Sequence, residues 1–323
     1  MVRPPNPSLN DRSYRKLDLI IGRQLRADNR TRPNLLHFFA QRSAIALLAL
    51  TLCPLRPAWA DALEKQVKFD YLDKVLTLRH FYSGEHLKFN SNGTLQGNAP
   101  IGPWTLDGQI EVEDIHLQGA RLVIKGRRIH RTLDTQSNLE DRLKTLGNSN
   151  DKKQKELKKE LLHLTAEIDI ELPGEEPDEK DVTSAIHAVF LTNSESMIDI
   201  VPSYWHAYFA KQEGKPFSLP DQKKESVSYF KVGGGVSPPR LVTQPDPEYS
   251  EEARKAKYQG TVVLFMIVNA SGAPTKLQIV RPVGLGLDEK AVAAVSTWKF
   301  TPAQKDGEPV PVAINVEVSF RLY

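Results

Sequence analysis

Cysteine is nearly absent from this sequence. Cys53 is the only one among 323 residues, and it lies within the first sixty. If the chain is cleaved after Ala60, the mature protein has no cysteine and therefore no disulfide bond, no thiol nucleophile and no cysteine-ligated zinc. Lipid attachment at Cys53 is disfavoured, because the bulky Leu52 stands where a lipoprotein signal needs a small residue.

Net charge of either sign is also small. The chain carries 43 Lys and Arg against 40 Asp and Glu, a formal charge of +3. Residues 1–60 contain ten of the basic residues and three Asp, so the remaining chain has a net charge of −4. This argues against a nucleic-acid partner, because phosphate contacts need clustered Lys and Arg. The 40% hydrophobic content predicts a globular chain of about two domains and excludes collagen, multi-span membrane proteins and wholesale disorder.

A long hydrophobic run is missing as well. The uncharged apolar stretch at residues 43–55 is shorter than the roughly 20 residues that span a bilayer as a helix. Ala58 and Ala60 follow it in the A-x-A pattern of a signal-peptidase site. We therefore interpret residues 1–60 as an export signal, cleaved after Ala60, that delivers the protein to the periplasm or cell envelope. The alternative is an uncleaved inner-membrane anchor that also includes Leu35, Leu36, Phe38 and Phe39.

Motifs of familiar catalytic chemistry are lacking. The sequence has no H-E-x-x-H, G-x-S-x-G or Walker pattern. His80 and His86 are too far apart for one face of a helix or strand. His163 and Glu167 are separated by a predicted change from helix to strand. We therefore predict no catalytic residue, no metal site and no cofactor, and we do not expect an enzyme.

Residues 61–210 predict a β-rich α+β domain of unknown role. Short alternating segments occur at residues 75–78, 87–89, 110–124 and 166–172, with Asn92-Gly93 as a turn signal. They indicate a small antiparallel sheet or a partial barrel.

Helical spacing interrupts these strands. Leucines at 139, 143, 146, 157, 161 and 164 predict a helical insertion, and residues 185–191 predict a short apolar helix. The lysines at 152, 153, 155, 158 and 159 suggest either contact with an anionic surface or a solvated helix face. Tyr204, Trp205, Tyr208 and Phe209 suggest either contact with a lipid or glycan or a role in the core.

A Pro- and Gly-containing segment follows at residues 211–245. It includes Gly233-Gly234-Gly235 and prolines at 216, 220, 238, 239 and 245, and it offers few apolar residues to bury. Such a composition predicts a linker that tethers two independently folded parts.

The segment 246–323 predicts a second, compact α+β domain. Residues 250–256 predict a short helix, and residues 261–268 form an apolar run typical of a strand packed on both faces. A turn at 269–272 and a return strand at 277–280 complete a hairpin. A helix then starts near Asp288, and strict alternation from Val310 to Leu322 predicts a last strand with one buried face.

At this point the residues resemble a known family. The similarity lies in Pro247-Glu248-Tyr249, Ala253, Gly260, Gly272, Gly286-Leu287-Asp288, Trp298-Lys299-Phe300-Thr301-Pro302-Ala303, Gly307, Pro309-Val310 and the closing Val-x-Val-x-Phe. Together they resemble the C-terminal domain of TonB, the energy transducer of Gram-negative envelopes, over about residues 240–323. Two departures are Ser250, where the family usually has proline, and the family's contact glutamine, whose position falls on Asp246.

The resemblance implies a β-β-α-β domain that binds an extended peptide of an outer-membrane transporter by strand addition. The candidate partner-binding residues are Asp246, Pro247, Tyr249, Val312, Ile314, Asn315, Val316, Glu317, Val318 and Phe320. The alternative is that the last strand is an inner or dimer-paired member of its sheet. Further implied partners are ExbB- and ExbD-type inner-membrane proteins, if the chain is anchored, and a second copy of the chain.

Three hypotheses about function follow. The first is a TonB-family envelope protein that engages outer-membrane transporters and supports energy-coupled transport. The second is a periplasmic adaptor, or a self-associating structural protein, that uses the TonB-like domain without energy transduction. The third is an exported enzyme with catalysis in residues 61–210, for which no motif suggests a substrate.

Overall fold

Helices and strands alternate along the chain in a mixed α+β arrangement. The computed structural model describes residues 58–133, 164–217 and 229–322, together with Lys152, Lys155 and Glu156. The helices are α1 (Ala58–Tyr71), α2 (Trp104–Asp107), α3 (Glu179–Val189), α4 (His206–Gln212), α5 (Glu251–Lys255) and α6 (Leu287–Ser296). The strands are β1 (Val75–Thr77), β2 (His86–Phe89), β3 (Gln109–Leu117), β4 (Arg121–Arg128), β5 (Thr165–Glu171), β6 (Phe230–Lys231), β7 (Arg240–Thr243), β8 (Gly260–Val268), β9 (Pro274–Arg281), β10 (Lys299–Thr301), β11 (Ala303–Lys305), β12 (Glu308–Val310) and β13 (Val312–Phe320).

The first sheet has the strand order β1-β3-β4-β5-β2. Most neighbours are antiparallel, but β2 and β5 run parallel, with Leu87 beside Ile168. The predicted antiparallel arrangement is therefore wrong at this pair. Alternation of apolar and polar residues is the same in both directions, so the pattern that predicts these strands does not determine how they pair.

One face of the first sheet is covered by helices. Val67 and Ala60 of α1 and Ile186 of α3 share a buried core with Ile110 and Ile168 of the sheet. Ala60, at the expected cleavage point, is only 3% exposed. The other face carries ion pairs between charged side chains of neighbouring strands, among them Arg127 with Glu111, Lys125 with Glu167 and Arg121 with Asp169.

The N-terminus of α3 lies further upstream than the sequence predicts. Asp178 accepts a hydrogen bond from the Asp181 backbone N–H at 2.8 Å, and the Asp181 carboxylate accepts one from the Asp178 N–H at 3.2 Å. This reciprocal capping satisfies two N–H groups that would otherwise lack partners, so the helix begins at Glu179. The predicted helix at 185–191 covers only its C-terminal half.

The second sheet has the strand order β6-β13-β8-β9. β8 and β9 form the predicted hairpin, and β13 pairs with β8 over its full length. Gly272 in the hairpin turn has a φ of 81°, and a Cβ there would lie 1.9 Å from the Phe300 carbonyl oxygen. Only glycine fits this close approach. Leu287, Ala291 and Val295 of α6 are buried in the core of this sheet.

The core of the second sheet also contains residues from earlier in the chain. Trp205, which is 0% exposed, packs against Trp104 with ring centroids 5.5 Å apart and against Phe209 at 6.0 Å. These aromatics belong to the same buried cluster as Leu264 and Val295. Trp205 and Phe209 therefore have the predicted role in the core, and the described residues between 58 and 322 form one compact unit. Whether 61–210 and 246–323 fold independently stays a prediction.

Part of the predicted linker is built into the second half of the molecule. β6 pairs in parallel with the start of β13, and β7 pairs in antiparallel orientation with β10. α4 and the turn Ser203–Trp205 pack against β9, and the Ala207 N–H donates to Gln278 Oε1 at 3.2 Å.

Several predictions fall outside the described residues. They are the export signal or anchor up to residue 57, the helical pattern at 139–161, and His163. Within the described ranges, no helix is both long and apolar enough to cross a membrane. Lys152 and Lys155 are exposed.

Candidate functional site

β13 has one paired side and one largely open side. On one side it pairs with β8 from Val312 to Phe320. On the other side β6 pairs only with Val312 and Ala313. Beyond Ala313, no strand of the described ranges lies on this side of β13. Within the described part of the chain, the last strand is therefore an edge strand over most of its length.

The backbone direction along this edge follows from one hydrogen bond. The Phe230 N–H donates to the Pro311 carbonyl oxygen at 2.9 Å, so that oxygen points toward the β6 side. Successive residues of a strand direct their backbone groups to opposite sides. The N–H and C=O groups of Asn315, Glu317 and Ser319 therefore also point to the open side, where they are available to an added strand.

The side chains of β13 alternate between two faces. Val312, Val318 and Phe320 are buried in the second core, and Ile314 and Val316 are half-buried beside it. Asn315, Glu317 and Ser319 are exposed on the opposite face. Glu317 lies 3.6 Å from Arg281 of β9, and Ser319 Oγ lies 3.1 Å from Thr261 Oγ1. An added strand would meet an apolar strip on one face and polar side chains on the other.

Of the three candidate residues before α5, Tyr249 contacts the end of this strand. Tyr249 packs edge-on against Phe320 with ring centroids 5.4 Å apart, and its hydroxyl donates to the Tyr258 carbonyl oxygen at 2.9 Å. Asp246 is exposed, and Pro247 is half-buried. The fold therefore brings Tyr249 to β13, whereas the role of Asp246 stays a prediction.

Ser250, the departure from the family pattern, has a structural role. Its hydroxyl accepts a hydrogen bond from the Ala253 N–H at 3.2 Å, which caps α5. The same hydroxyl donates to the Leu285 carbonyl oxygen at 2.5 Å. Ser250 thus fixes α5 to the loop before α6.

Asp288 is buried at the start of α6, and the adjacent Glu289 is half-buried. Asp288 accepts hydrogen bonds from the backbone N–H groups of Val283 at 2.8 Å and Gly284 at 2.7 Å. Glu289 Oε1 accepts one from Trp205 Nε1 at 3.0 Å, whereas Glu289 Oε2 is buried without a partner. Burial raises the pKa of both carboxyl groups, and the neighbouring Asp288 raises the pKa of Glu289 further. Sequence analysis missed Glu289, because no pattern signals its burial beside Trp205.

The raised pKa of Glu289 predicts that stability depends on pH. Its pKa in the folded protein lies above that of the unfolded chain, so the folded state is penalised as pH rises from the unfolded value through the folded one. We expect Glu289→Gln to gain stability over the wild type at pH 9 relative to pH 5, by about 1.4 kcal/mol for each pKa unit that the mutation removes. Urea unfolding at both pH values measures this difference.

Glu248→Gln is the matched control for that experiment. Glu248 is exposed, and its ion pair with Lys290 lowers its pKa, so its removal gives no gain in alkali. An equal difference between wild type and Glu289→Gln at both pH values would contradict a raised pKa at Glu289.

The histidines considered for metal or acid–base chemistry lie apart. His80 packs beside the Tyr82 ring with centroids 5.7 Å apart, and His86 Nδ1 lies 3.7 Å from Glu167 Oε1. Across residues 58–133, 164–217 and 229–322, no group of three or more potential metal ligands is present.

Comparisons with known proteins match the segment of the chain that contains β13. Residues 245–322 match the family model described as the Gram-negative bacterial TonB protein C-terminal. Protein TonB of Vibrio cholerae is 37% identical over 89 residues, which cover 27% of this chain and 36% of that protein. Protein tonB2 of Pseudomonas aeruginosa is 37% identical over 79 residues, covering 24% of this chain and 29% of that protein. The chain thus spans about a third of the length of these curated relatives.

A solved structure is also similar to part of the chain. It is the solution NMR structure of the Pseudomonas aeruginosa TonB CTD, at 15% sequence identity and a TM-score of 0.23. The similarity covers 29% of this chain and 93% of that one. By sequence, residues 245–322 are thus similar to the TonB C-terminal domain.

Proposed function

We propose that this protein is a TonB-family protein of the cell envelope that binds a peptide of an outer-membrane transporter by strand addition to β13 and supports energy-coupled transport. The open backbone edge at Asn315, Glu317 and Ser319 is the observation that carries this proposal. It lies within the segment that matches the TonB C-terminal family.

The chemistry of this edge supports a peptide ligand. Six outward backbone groups on three residues can exchange hydrogen bonds with an extended chain, each with a net contribution of about 0.5–1.5 kcal/mol. Part of this gain offsets the ordering of the peptide. Strand addition here is therefore expected to be reversible, which suits a partner that is bound and released repeatedly.

The N-terminal segment decides between two forms of this function. If residues 35–55 are retained in the inner membrane, contact with ExbB- and ExbD-type proteins and transmission of force become feasible. If the chain is cleaved after Ala60, it acts in the periplasm as an adaptor. The aromatic core around Trp205 favours the adaptor as second candidate, because it packs the TonB-like segment against earlier residues of the chain.

A peptide titration tests the proposal. The ¹⁵N-labelled protein is titrated with synthetic N-terminal segments of TonB-dependent transporters from the source organism. We expect the largest amide shifts at Asn315, Glu317 and Ser319. The control is the same peptide with alternate backbone nitrogens methylated, which cannot complete the ladder and should bind at least about tenfold more weakly.

Two other outcomes would contradict transporter binding. Peptide shifts that leave β13 unchanged would move the site elsewhere. Concentration-dependent dimerisation through β13 without any peptide binding would support the self-associating alternative, in which a second copy of the chain occupies the edge.

A further inference from the structure

One strand of the chain already lies on the edge proposed for the peptide. β6 runs parallel to β13, with Phe230 beside Val312 and Lys231 beside Ala313. The Phe230 N–H donates to the Pro311 carbonyl oxygen, which lies on the same side of the strand as the backbone groups of Asn315. A partner strand on this edge therefore meets β6 at its end.

β6 is attached by few interactions. The half-buried Phe230 ring packs at the border of the second core, and Lys305 Nζ lies 4.6 Å from the centre of that ring. The backbone pairing extends over two residues only. Such a short pairing can be exchanged for a better one without disturbing the antiparallel pair of β13 and β8.

The chain leaves β6 through three glycines. Gly233, Gly234 and Gly235 have φ values of 107°, 60° and 88°, and a Cβ added to any of them would meet no atom within 4 Å. The positive φ values need glycine. Gly233 and Val236 exchange backbone hydrogen bonds at 3.1 and 3.2 Å, and Val236 is buried, so the turn is fixed at its C-terminal end and can serve as a hinge for β6. The segment after β6 is thus suited to let the strand move away from the sheet.

We infer that β6 is a resident strand that limits the peptide edge to Asn315, Glu317 and Ser319, so that a longer partner strand must displace it. This inference rests on the proposed function and adds a length limit to it. A segment of about five residues fits beside β6, because alternate residues of a strand reach the same side.

The exposed side chains define the kind of segment that fits. Partner side chains on the core side lie beside the half-buried Ile314 and Val316, and those on the other side lie beside Asn315 and Glu317. Cross-strand neighbours of this kind favour apolar residues opposite apolar ones and opposite charges in facing pairs. The preferred partner therefore alternates apolar with polar residues and places a basic residue beside Glu317.

A reversible cross-link tests the displacement. The variant Lys231→Cys with Ala313→Cys joins two facing residues of β6 and β13, whose spacing in a sheet suits a disulfide. Cys53→Ser removes the single native cysteine. The reduced form of the same protein is the matched control. The probes are a five-residue and a ten-residue peptide from the transporter segment that shifts β13 most strongly in the titration.

Oxidation should affect the affinities of the two peptides differently. We expect the five-residue peptide to keep its affinity within about twofold, and the ten-residue peptide to lose at least about tenfold, because it can no longer pair with Ala313. Phe230→Ala should raise the affinity for the longer peptide, whereas Val232→Ala, an exposed residue just after β6, should not. Equal binding of the ten-residue peptide by oxidised and reduced protein would overturn the inference while leaving strand addition intact.

Amide hydrogen exchange tests the resident strand without any peptide. The Ala313 N–H should be protected in the free protein, whereas those of Asn315, Glu317 and Ser319 should exchange rapidly. Phe230→Ala should remove protection at Ala313 alone. Protection at all four amides would overturn the inference. If the exchange pattern is as expected but no peptide binds, β6 is a resident strand and the proposed transporter function is wrong.

Discussion

Replacing Glu317 by proline is expected to lower the affinity for a transporter peptide by at least about tenfold while the protein stays folded. The Glu317 N–H points to the open side of β13, so its loss removes a donor for the added strand and none of the bonds to β8. The proline ring also occupies the space that a partner backbone needs. Proline is tolerated in edge strands at positions of this kind.

Two variants at neighbouring positions sharpen this test. Glu317→Ala removes the side chain but keeps the N–H, so it should retain most of the affinity. Val316→Pro removes an N–H directed toward β8 and should unfold the second sheet. Peptide titration and thermal unfolding measure the two effects separately. Normal peptide binding by a folded Glu317→Pro protein would exclude this edge as the site.

The largest effect on stability is expected for Trp205→Ala, at about 3–5 kcal/mol of unfolding free energy. Trp205 is fully buried, and its ring contacts Trp104, Tyr208 and Phe209. The substitution leaves a large cavity among these rings. It also removes the hydrogen bond from the indole N–H to Glu289 Oε1, while Glu289 Oε2 has no partner even in the wild type.

Urea denaturation with two controls separates these contributions. Trp205→Phe keeps an aromatic ring and loses the donor, so it should lose less stability than Trp205→Ala. Phe69→Ala removes an aromatic ring that is 83% exposed and should change stability by less than about 0.5 kcal/mol. A loss below 1 kcal/mol for Trp205→Ala would contradict a core shared between the TonB-like segment and the residues before it.

The regular elements of the second sheet were predictable because their patterns are long. Alternation over β13 and the spacing of Leu287, Ala291 and Val295 on α6 each predict one buried face, and the structure confirms both. The hairpin between β8 and β9 follows from the turn residues at 269–272. Here local sequence and tertiary packing agree.

The open edge itself was less accessible to sequence analysis. Whether β13 lies inside its sheet or at an edge depends on its neighbours, and periodicity contains no information about them. β6 has two residues and β7 has four, which is too short for a period to emerge within a segment rich in proline and glycine. Composition therefore predicts a linker where two strands exist.

Long-range partners account for the remaining differences. Trp205 and Glu289 are 84 positions apart, so the burial of this acid could not be predicted from either segment. α1 was missed because its first residues match the small-residue pattern of a cleavage site. In each case one local signal had two physical explanations, and only the tertiary contacts distinguish them.

The cover of α4 over β9 has a consequence for assembly. α4 and the turn Ser203–Trp205 pack against β9, whereas β13 is open beyond Ala313, so we expect a further strand to join the second sheet at β13. In polymer terms the protein would then be monovalent, which means that it has one site for pairing with another strand. Chain growth through this sheet stops after a single pairing event, so high local concentrations at an envelope would yield pairs rather than fibres.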